Sequence, residues 1–216
     1  MRIGVFGGTF DPIHMGHLVA AEESWAQLEL ERVVFVPAGL PPHKLDEVIT
    51  PAEHRLAMVE LAIASNPHFT LSRVDIDRFG PCYTVDTIEI LRAKWGPEAE
   101  IYFIMGSDSL GEILTWHKPE RLIRLCRLAV VKRPSYEVDM EELERCLPGI
   151  TMRVKFINSP TLNISSTDIR RRVREGLPIK YQVPEAVERY IYEHGLYREE
   201  DCGANRKGKE RIADPI

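Results

Sequence analysis

The run Ile3-Gly4-Val5-Phe6 leads straight into Gly7-Gly8-Thr9-Phe10-Asp11-Pro12-Ile13-His14-Met15-Gly16-His17, and a helical pattern follows. A short apolar strand, a glycine turn and then a helix is how a nucleotide-binding α/β domain opens. Gly7 and Gly8 let the backbone approach an anion closely, and the N–H groups at a helix start favour negative charge. Two histidines, three residues apart with a glycine between them, stand where phosphates belong. Neither Gly-x-Gly-x-x-Gly nor the Walker-A pattern occurs at this position. The loop offers imidazoles to a phosphate instead.

The rest of the chain continues the alternation. Strand-like runs are expected at Arg2–Phe6, Arg32–Pro37, Phe69–Ile76, Glu100–Met105, Leu128–Lys132 and Met152–Ile157. Helical patterns lie near 15–30, 51–65, 84–95, 118–125, 139–147, 166–175 and 184–194. This order predicts an α/β, Rossmann-like, doubly wound fold: a mostly parallel sheet with helices on both faces. Thr50 and Glu53 are placed for a capping box, with Pro51 at the first helical position. The chain has 216 residues, 44% of them hydrophobic, enough for one good core. A single domain is expected over 1–198, its C-terminal part (about 160–198) helical. Residues 199–216 are charged and poor in apolar side chains, which reads as a disordered tail. Functional groups should gather at the carboxyl ends of the strands, at a topological switch point.

Some classes are excluded by composition. A formal net charge of −5 argues against broad binding to nucleic acid or acidic membranes. No apolar stretch approaches the ~20 residues of a spanning helix, and no signal peptide is evident, so a cytosolic protein is expected. Cys82, Cys126, Cys146 and Cys202 show no Cys-x-x-Cys spacing, so neither a zinc knuckle nor a disulfide framework is indicated.

The segment from Gly7 to His17 resembles the His-x-Gly-His signature of the adenylyl- and cytidylyltransferase superfamily, distant relatives of class I aminoacyl-tRNA synthetases. Its fuller string is similar to one branch, the bacterial nicotinate-nucleotide adenylyltransferases. Three more stretches agree in family order: Pro41-Pro42-His43-Lys44, Gly106-Ser107-Asp108-Ser109-Leu110 with Trp116-His117, and Ile164-Ser165-Ser166-Thr167-Asp168-Ile169-Arg170. One departure is Cys82, where a serine is expected. The resemblance implies transfer of AMP from ATP to nicotinate mononucleotide, giving deamido-NAD and pyrophosphate, with Mg²⁺ carried mainly by the ATP phosphates and no protein metal site.

The residue types suit that chemistry. Two multiply charged phosphates must be brought within bonding distance, so repulsion and alignment are the obstacles, and a general base has little to do. His14 and His17 offer donors that can become imidazolium, Lys44 a flexible point charge, and Arg170 a fork suited to phosphate oxygens. These four are the expected catalytic residues. Gly7, Gly8, Thr9, Phe10, His14, His17, Gly106, Asp108, Ser165, Ser166 and Arg170 are expected to bind ATP. Ser165 and Ser166 could equally be plain helix caps, and Asp108 could cap a helix or accept ribose hydroxyls. Arg171 and Arg172 turn away from the face that Arg170 shares with Arg174.

For the acceptor, His43, Lys44, Thr84 and Trp116 are expected. Trp116 is a flat surface suited to a pyridinium ring, but on spacing alone it reads as core. The resemblance implies the stacking role, because its place after Gly106-Ser107-Asp108 matches the family's aromatic that packs on the nicotinate ring. Thr84 opens a helix that could hold the nicotinate carboxylate. Rival readings are a sister transferase acting on nicotinamide mononucleotide or phosphopantetheine, and a nucleotide-binding protein without turnover. An oxidoreductase is disfavoured by the missing dinucleotide fingerprint. The sequence does not set the oligomeric state, and a homo-oligomer stays open.

Overall fold

A computed structural model describes residues 1–41, 48–132 and 136–198. Six strands form one sheet: β1 (Arg2–Gly8), β2 (Arg32–Pro37), β3 (Phe69–Leu71), β4 (Glu100–Gly106), β5 (Arg127–Val131) and β6 (Val154–Ile157). All neighbouring pairs are parallel, in the order β3-β2-β1-β4-β5-β6. The helices are α1 (Met15–Leu28), α2 (Ala52–Ile63), α3 (Thr84–Trp95), α4 (Ser107–Gly111), α5 (Pro119–Leu125), α6 (Met140–Cys146), α7 (Ser166–Arg174) and α8 (Glu185–Glu193).

Period-2 alternation splits the core into two layers. On β4, Ile101, Phe103 and Met105 point into one layer, while Tyr102 and Ile104 point into the other. The Tyr102 layer also takes Ala20 and Ala21 of α1, Met58 and Val59 of α2, Ile169 and Val173 of α7, and Val187 and Ile191 of α8. The Phe103 layer takes Ile88 and Leu91 of α3, Leu122 and Ile123 of α5, and Leu143 of α6. A parallel sheet buried on both faces needs near-continuous apolar strands, as in Val33–Val36 of β2. The doubly wound expectation is met, and among the described residues the sheet is wholly parallel. No helix among these residues is long and apolar enough to cross a membrane.

Three local expectations are corrected. The capping box at Thr50 and Glu53 does not form: Pro51 is the N-cap, without a side-chain cap. Glu53 instead pairs with Arg73, and Thr50 donates its N–H to Asp11 Oδ2 at 3.2 Å. Strand β3 stops at Leu71 instead of running to Ile76, because residues 73–78 turn to bring Asp75 under α3. The short helix α4 was not foreseen; Gly106 is its N-cap and Asp108 lies in its first turn, so Asp108 does not cap it.

The strand order reverses between β1 and β4, which makes their carboxyl ends the switch point. Gly7 pairs with Val36 and Gly8 with Pro37, so β1 and β2 end together and release their loops on one rim.

Candidate active site

A cavity of about 850 Å³ opens at this switch point, within the size range of small-molecule sites. Gly7, Gly8, Thr9, His14 and His17 line one side, Gly106 and Asp108 the end of β4, and Ser165 the approach to α7. Thr84 and Trp116 line the wall formed by the start of α3 and the turn before α5. One cavity thus brings together ten of the residues singled out in the sequence.

The two histidines form one unit. Their rings stack with centroids 3.7 Å apart at 24°. The His14 backbone N–H donates to His17 Nδ1 at 3.2 Å. With Nδ1 the acceptor, the neutral imidazole carries its proton on Nε2, where it can be donated. Gly16 leaves the stack room: a methyl there would lie 3.1 Å from the His14 ring, which would have to shift by a few tenths of an ångström. Glycine between the two histidines thus favours the stack on steric grounds.

Phe10, Ser166 and Arg170 do not line the cavity; they hold the loop in place. Phe10, 2% exposed, adopts a positive φ of 50° and sets its ring edge against His17 at 5.1 Å. Such a backbone is strained for a bulky residue and is sustained here by packing on Phe6 and Phe35. Ser166 Oγ donates to the Pro12 carbonyl at 2.9 Å, and Arg170 Nη1 donates to the Asp11 carbonyl at 2.7 Å. Ser165 caps α7 by accepting from the Asp168 N–H at 3.1 Å while facing the cavity. Arg171 is paired with Asp168 and Glu175, and Arg172 donates to the Pro178 carbonyl.

Further residues support the same loop and were not singled out in the sequence. Arg55, 1% exposed, donates to the carbonyls of Thr50 (2.9 Å), Thr9 (2.8 Å) and Gly39 (3.2 Å). Burial pulls its pKa down, and nearby Asp11 and Tyr197 push it back. The Tyr197 hydroxyl donates to Asp11 Oδ1 at 2.7 Å. Burial, then Asp11, raises the pKa of Tyr197, so the phenol remains a donor. An arginine on the buried face of α2, in series with Met58, Val59 and Ala62, was the legible signal.

On the opposite wall, Trp116 is half-buried and meets Phe103 edge-on at 6.0 Å. His117 stacks on Tyr83, with centroids 4.3 Å apart. Lys132 also borders the cavity, with its ammonium 5.4 Å from the centre of the Phe156 ring. His43 and Lys44 lie outside the described residues, as does the segment 199–216. Among the described residues no group of three or more His, Cys, Asp or Glu is arranged to hold a metal. The wall carboxylates are Asp75, engaged by Thr87 and Arg78, and Asp108. That donor set fits a hydrated divalent ion that arrives on substrate phosphates better than a protein-held one.

A glycine loop with two stacked imidazoles, at the switch point of a doubly wound sheet, defines an α/β protein built to receive a nucleotide. Comparison with known proteins agrees. Residues 5–172 match the cytidylyltransferase-like family. A protein of Thermomicrobium roseum named "Probable nicotinate-nucleotide adenylyltransferase" is 52% identical over 91% of this chain and 92% of its own. One of the same name from Moorella thermoacetica is 49% identical over 96% of each. The solved structure of Plasmodium falciparum nicotinic acid mononucleotide adenylyltransferase complexed with NaAD superposes with a TM-score of 0.74. It covers 91% of this chain and 97% of that one at 22% identity, and so speaks for the fold alone. The chain belongs to the cytidylyltransferase-like family, on its nicotinate-nucleotide adenylyltransferase branch.

Proposed function

We propose that this chain transfers AMP from ATP to nicotinate mononucleotide, releasing pyrophosphate and forming deamido-NAD, a step of NAD biosynthesis. The observation that carries the reading is the stacked His14–His17 pair facing a cavity whose other wall holds Trp116 and Thr84. The acceptor phosphate is already ionised at neutral pH. One of its oxygens attacks the α-phosphorus of ATP, a new P–O bond forms, and the bond to the bridging oxygen breaks. Pyrophosphate departs with that electron pair.

His17 Nε2 donates toward the α-phosphate region, where charge grows in the transition state, and His14 fixes the His17 ring by the stack and its backbone N–H. Gly7, Gly8 and Thr9 admit the phosphates close to the backbone. Asp108 and Gly106, at the end of β4, are proposed to receive the ribose, and Ser165, across the same cavity, another part of ATP. Arg170, Ser166 and Phe10 act through the loop, and Lys44 and His43 are proposed, on the family resemblance, as further groups for the phosphates. Mg²⁺, when bound with ATP, offsets phosphate charge and makes pyrophosphate a better leaving group. The setting we propose is the cytoplasm, a reducing compartment that suits the free Cys82, Cys126 and Cys146.

Pyrophosphate release from ATP and Mg²⁺, measured against nicotinate mononucleotide, nicotinamide mononucleotide and phosphopantetheine, tests this reading. The highest kcat/KM is expected with nicotinate mononucleotide. A preference for either rival acceptor reassigns the substrate, and silence with all three overturns the enzyme reading.

A further inference from the structure

In the cavity wall opposite the histidines, and behind it, lies a buried polar cluster centred on Asp75. Thr87 Oγ1 of α3 is 2.7 and 2.9 Å from the two Asp75 carboxylate oxygens. Arg78 Nε donates to Asp75 Oδ1 at 2.9 Å. The same guanidinium uses Nη2 to reach the Tyr83 carbonyl at 3.2 Å and Thr87 Oγ1 at 3.3 Å. Asp86 lies 3.6 Å from Arg78 Nη1. One fork therefore ties the loop after β3 both to the residue that precedes α3 and to a residue one turn inside it.

The cluster also reaches the loop after β2. Cys82 Sγ donates to the Asp75 carbonyl at 3.2 Å and accepts from the Leu40 N–H at 3.4 Å. The thiol thus fills the place of the serine hydroxyl expected there. Gly39 must be a glycine, because a Cβ would meet the Asp75 carbonyl oxygen at 2.3 Å. Burying a carboxylate opposes its ionisation, and burial indeed pushes the Asp75 carboxyl up, with Thr87 and Arg78 pulling it back. A buried polar cluster with its groups satisfied is stiff, since any displacement exposes an unpaired group at low dielectric.

Two features of the wall depend on that stiffness. Tyr83 stacks on His117, and Thr84 opens α3 beside Trp116 in the same cavity. Asp75 and Thr87 border the cavity but are only 5% and 3% exposed, and the Asp75 carboxylate is taken up by Thr87 and Arg78, so they offer little surface to a ligand themselves. We infer that Asp75, Arg78 and Thr87 are positioning residues for the acceptor, setting the place of Tyr83 and Thr84 without acting on the nucleotide side of the cavity. The inference rests on the function proposed above, in which this wall receives the pyridine mononucleotide.

Thr87→Val keeps the side-chain shape and removes the hydroxyl, whereas Thr87→Ser keeps the hydroxyl. Both Michaelis constants are measured for each variant by pyrophosphate release, beside a thermal melt. Thr87→Val is expected to raise KM for the acceptor about tenfold, as one misplaced contact would, and KM for ATP less than about twofold. Thr87→Ser should stay near wild type. If Thr87→Val does not fold, Arg78→Lys keeps the charge, loses the fork to Tyr83, and should show the same selective rise. Equal shifts in both constants, or an unchanged acceptor KM in a folded variant, overturn the inference. Wild-type turnover with nicotinate mononucleotide separately tests the function. Should another acceptor be preferred, the same ratio of constants is read with that acceptor.

Discussion

Arg170 Nη1 rests 2.7 Å from the carbonyl oxygen of Asp11, so a side chain of α7 grips the backbone of the loop that carries His14. Ser166, one turn earlier on the same helix, grips the next carbonyl, that of Pro12. A charged donor to a half-buried carbonyl contributes about 1.5–3 kcal/mol. Arg170→Ala is therefore expected to lower Tm by several degrees and kcat together, because the loop and its imidazoles loosen as one. A variant with unchanged Tm and a raised KM for ATP alone would instead assign Arg170 to the phosphates.

The tautomer inferred for His17 separates its two nitrogens by task. Nδ1 accepts from the His14 N–H, which leaves Nε2 to carry the proton that the proposed function offers to substrate. Asparagine can reproduce the acceptor near Nδ1 but has no donor where Nε2 stands. His17→Asn is expected to melt near the wild-type temperature and to lose roughly 10²-fold in kcat, the scale of one preorganised donor. Near-normal kcat in that variant would remove His17 from the mechanism.

The strand-helix alternation and the glycine loop were legible because both follow from local chemistry: period-2 apolar runs and residues without a Cβ. The cavity was legible for the same reason, since strand ends gather loops at a switch point. The partners of the supporting shell were not, even where spacing marks a member such as Arg55 as buried. Arg55 contacts Thr9 and Gly39, and Tyr197 contacts Asp11 from 186 positions away; no periodicity announces a contact of that range. The capping box at Thr50 illustrates the opposite error. A correct local signal lost to a tertiary demand, because Asp11 and Arg55 recruit Thr50 into the loop's support. For Arg170 the family motif and the guanidinium fork point to phosphate, whereas its contact in the structure is the Asp11 carbonyl, a partner that neither signal names.

Stability should fall on the alkaline side. Cys126 is 3% exposed, and burial pushes its thiol from an ordinary 9.0 up to about 12. Between those values the unfolded chain gives up a proton that the folded chain keeps. The unfolded state then binds fewer protons, so unfolding becomes easier as pH rises. From pH 8 to pH 10 the loss from this one group is about 1.4 kcal/mol. Tyr197, raised in the same direction, extends the fall above its ordinary 10.0. Urea unfolding at pH 8, 9 and 10 should show a shallower decline for Cys126→Ala than for wild type. Parallel declines would mean that Cys126 ionises alike in both states.

Trp116 presents two edges to two demands, and the acceptor assignment turns on which dominates. Its ring meets Phe103 edge-on at 6.0 Å and packs against the core layer of α3 and α5, yet it also borders the cavity beside Thr84. A ring held perpendicular to a core phenylalanine keeps a face available for a flat ligand, and a pyridinium is drawn to that face. Loss of such a stack is worth ~1–3 kcal/mol, or roughly 5- to 150-fold in affinity. Trp116→Ala should thus raise KM for nicotinate mononucleotide within that range and move KM for ATP far less. Trp116→Phe should recover part of the loss. Removing the contact with Phe103 will lower Tm as well, so the constants are to be measured well below the melt. A purely structural tryptophan would damage both constants equally. Unchanged acceptor KM in folded Trp116→Ala would take the pyridine off this wall, leaving the acceptor to be located elsewhere in the cavity.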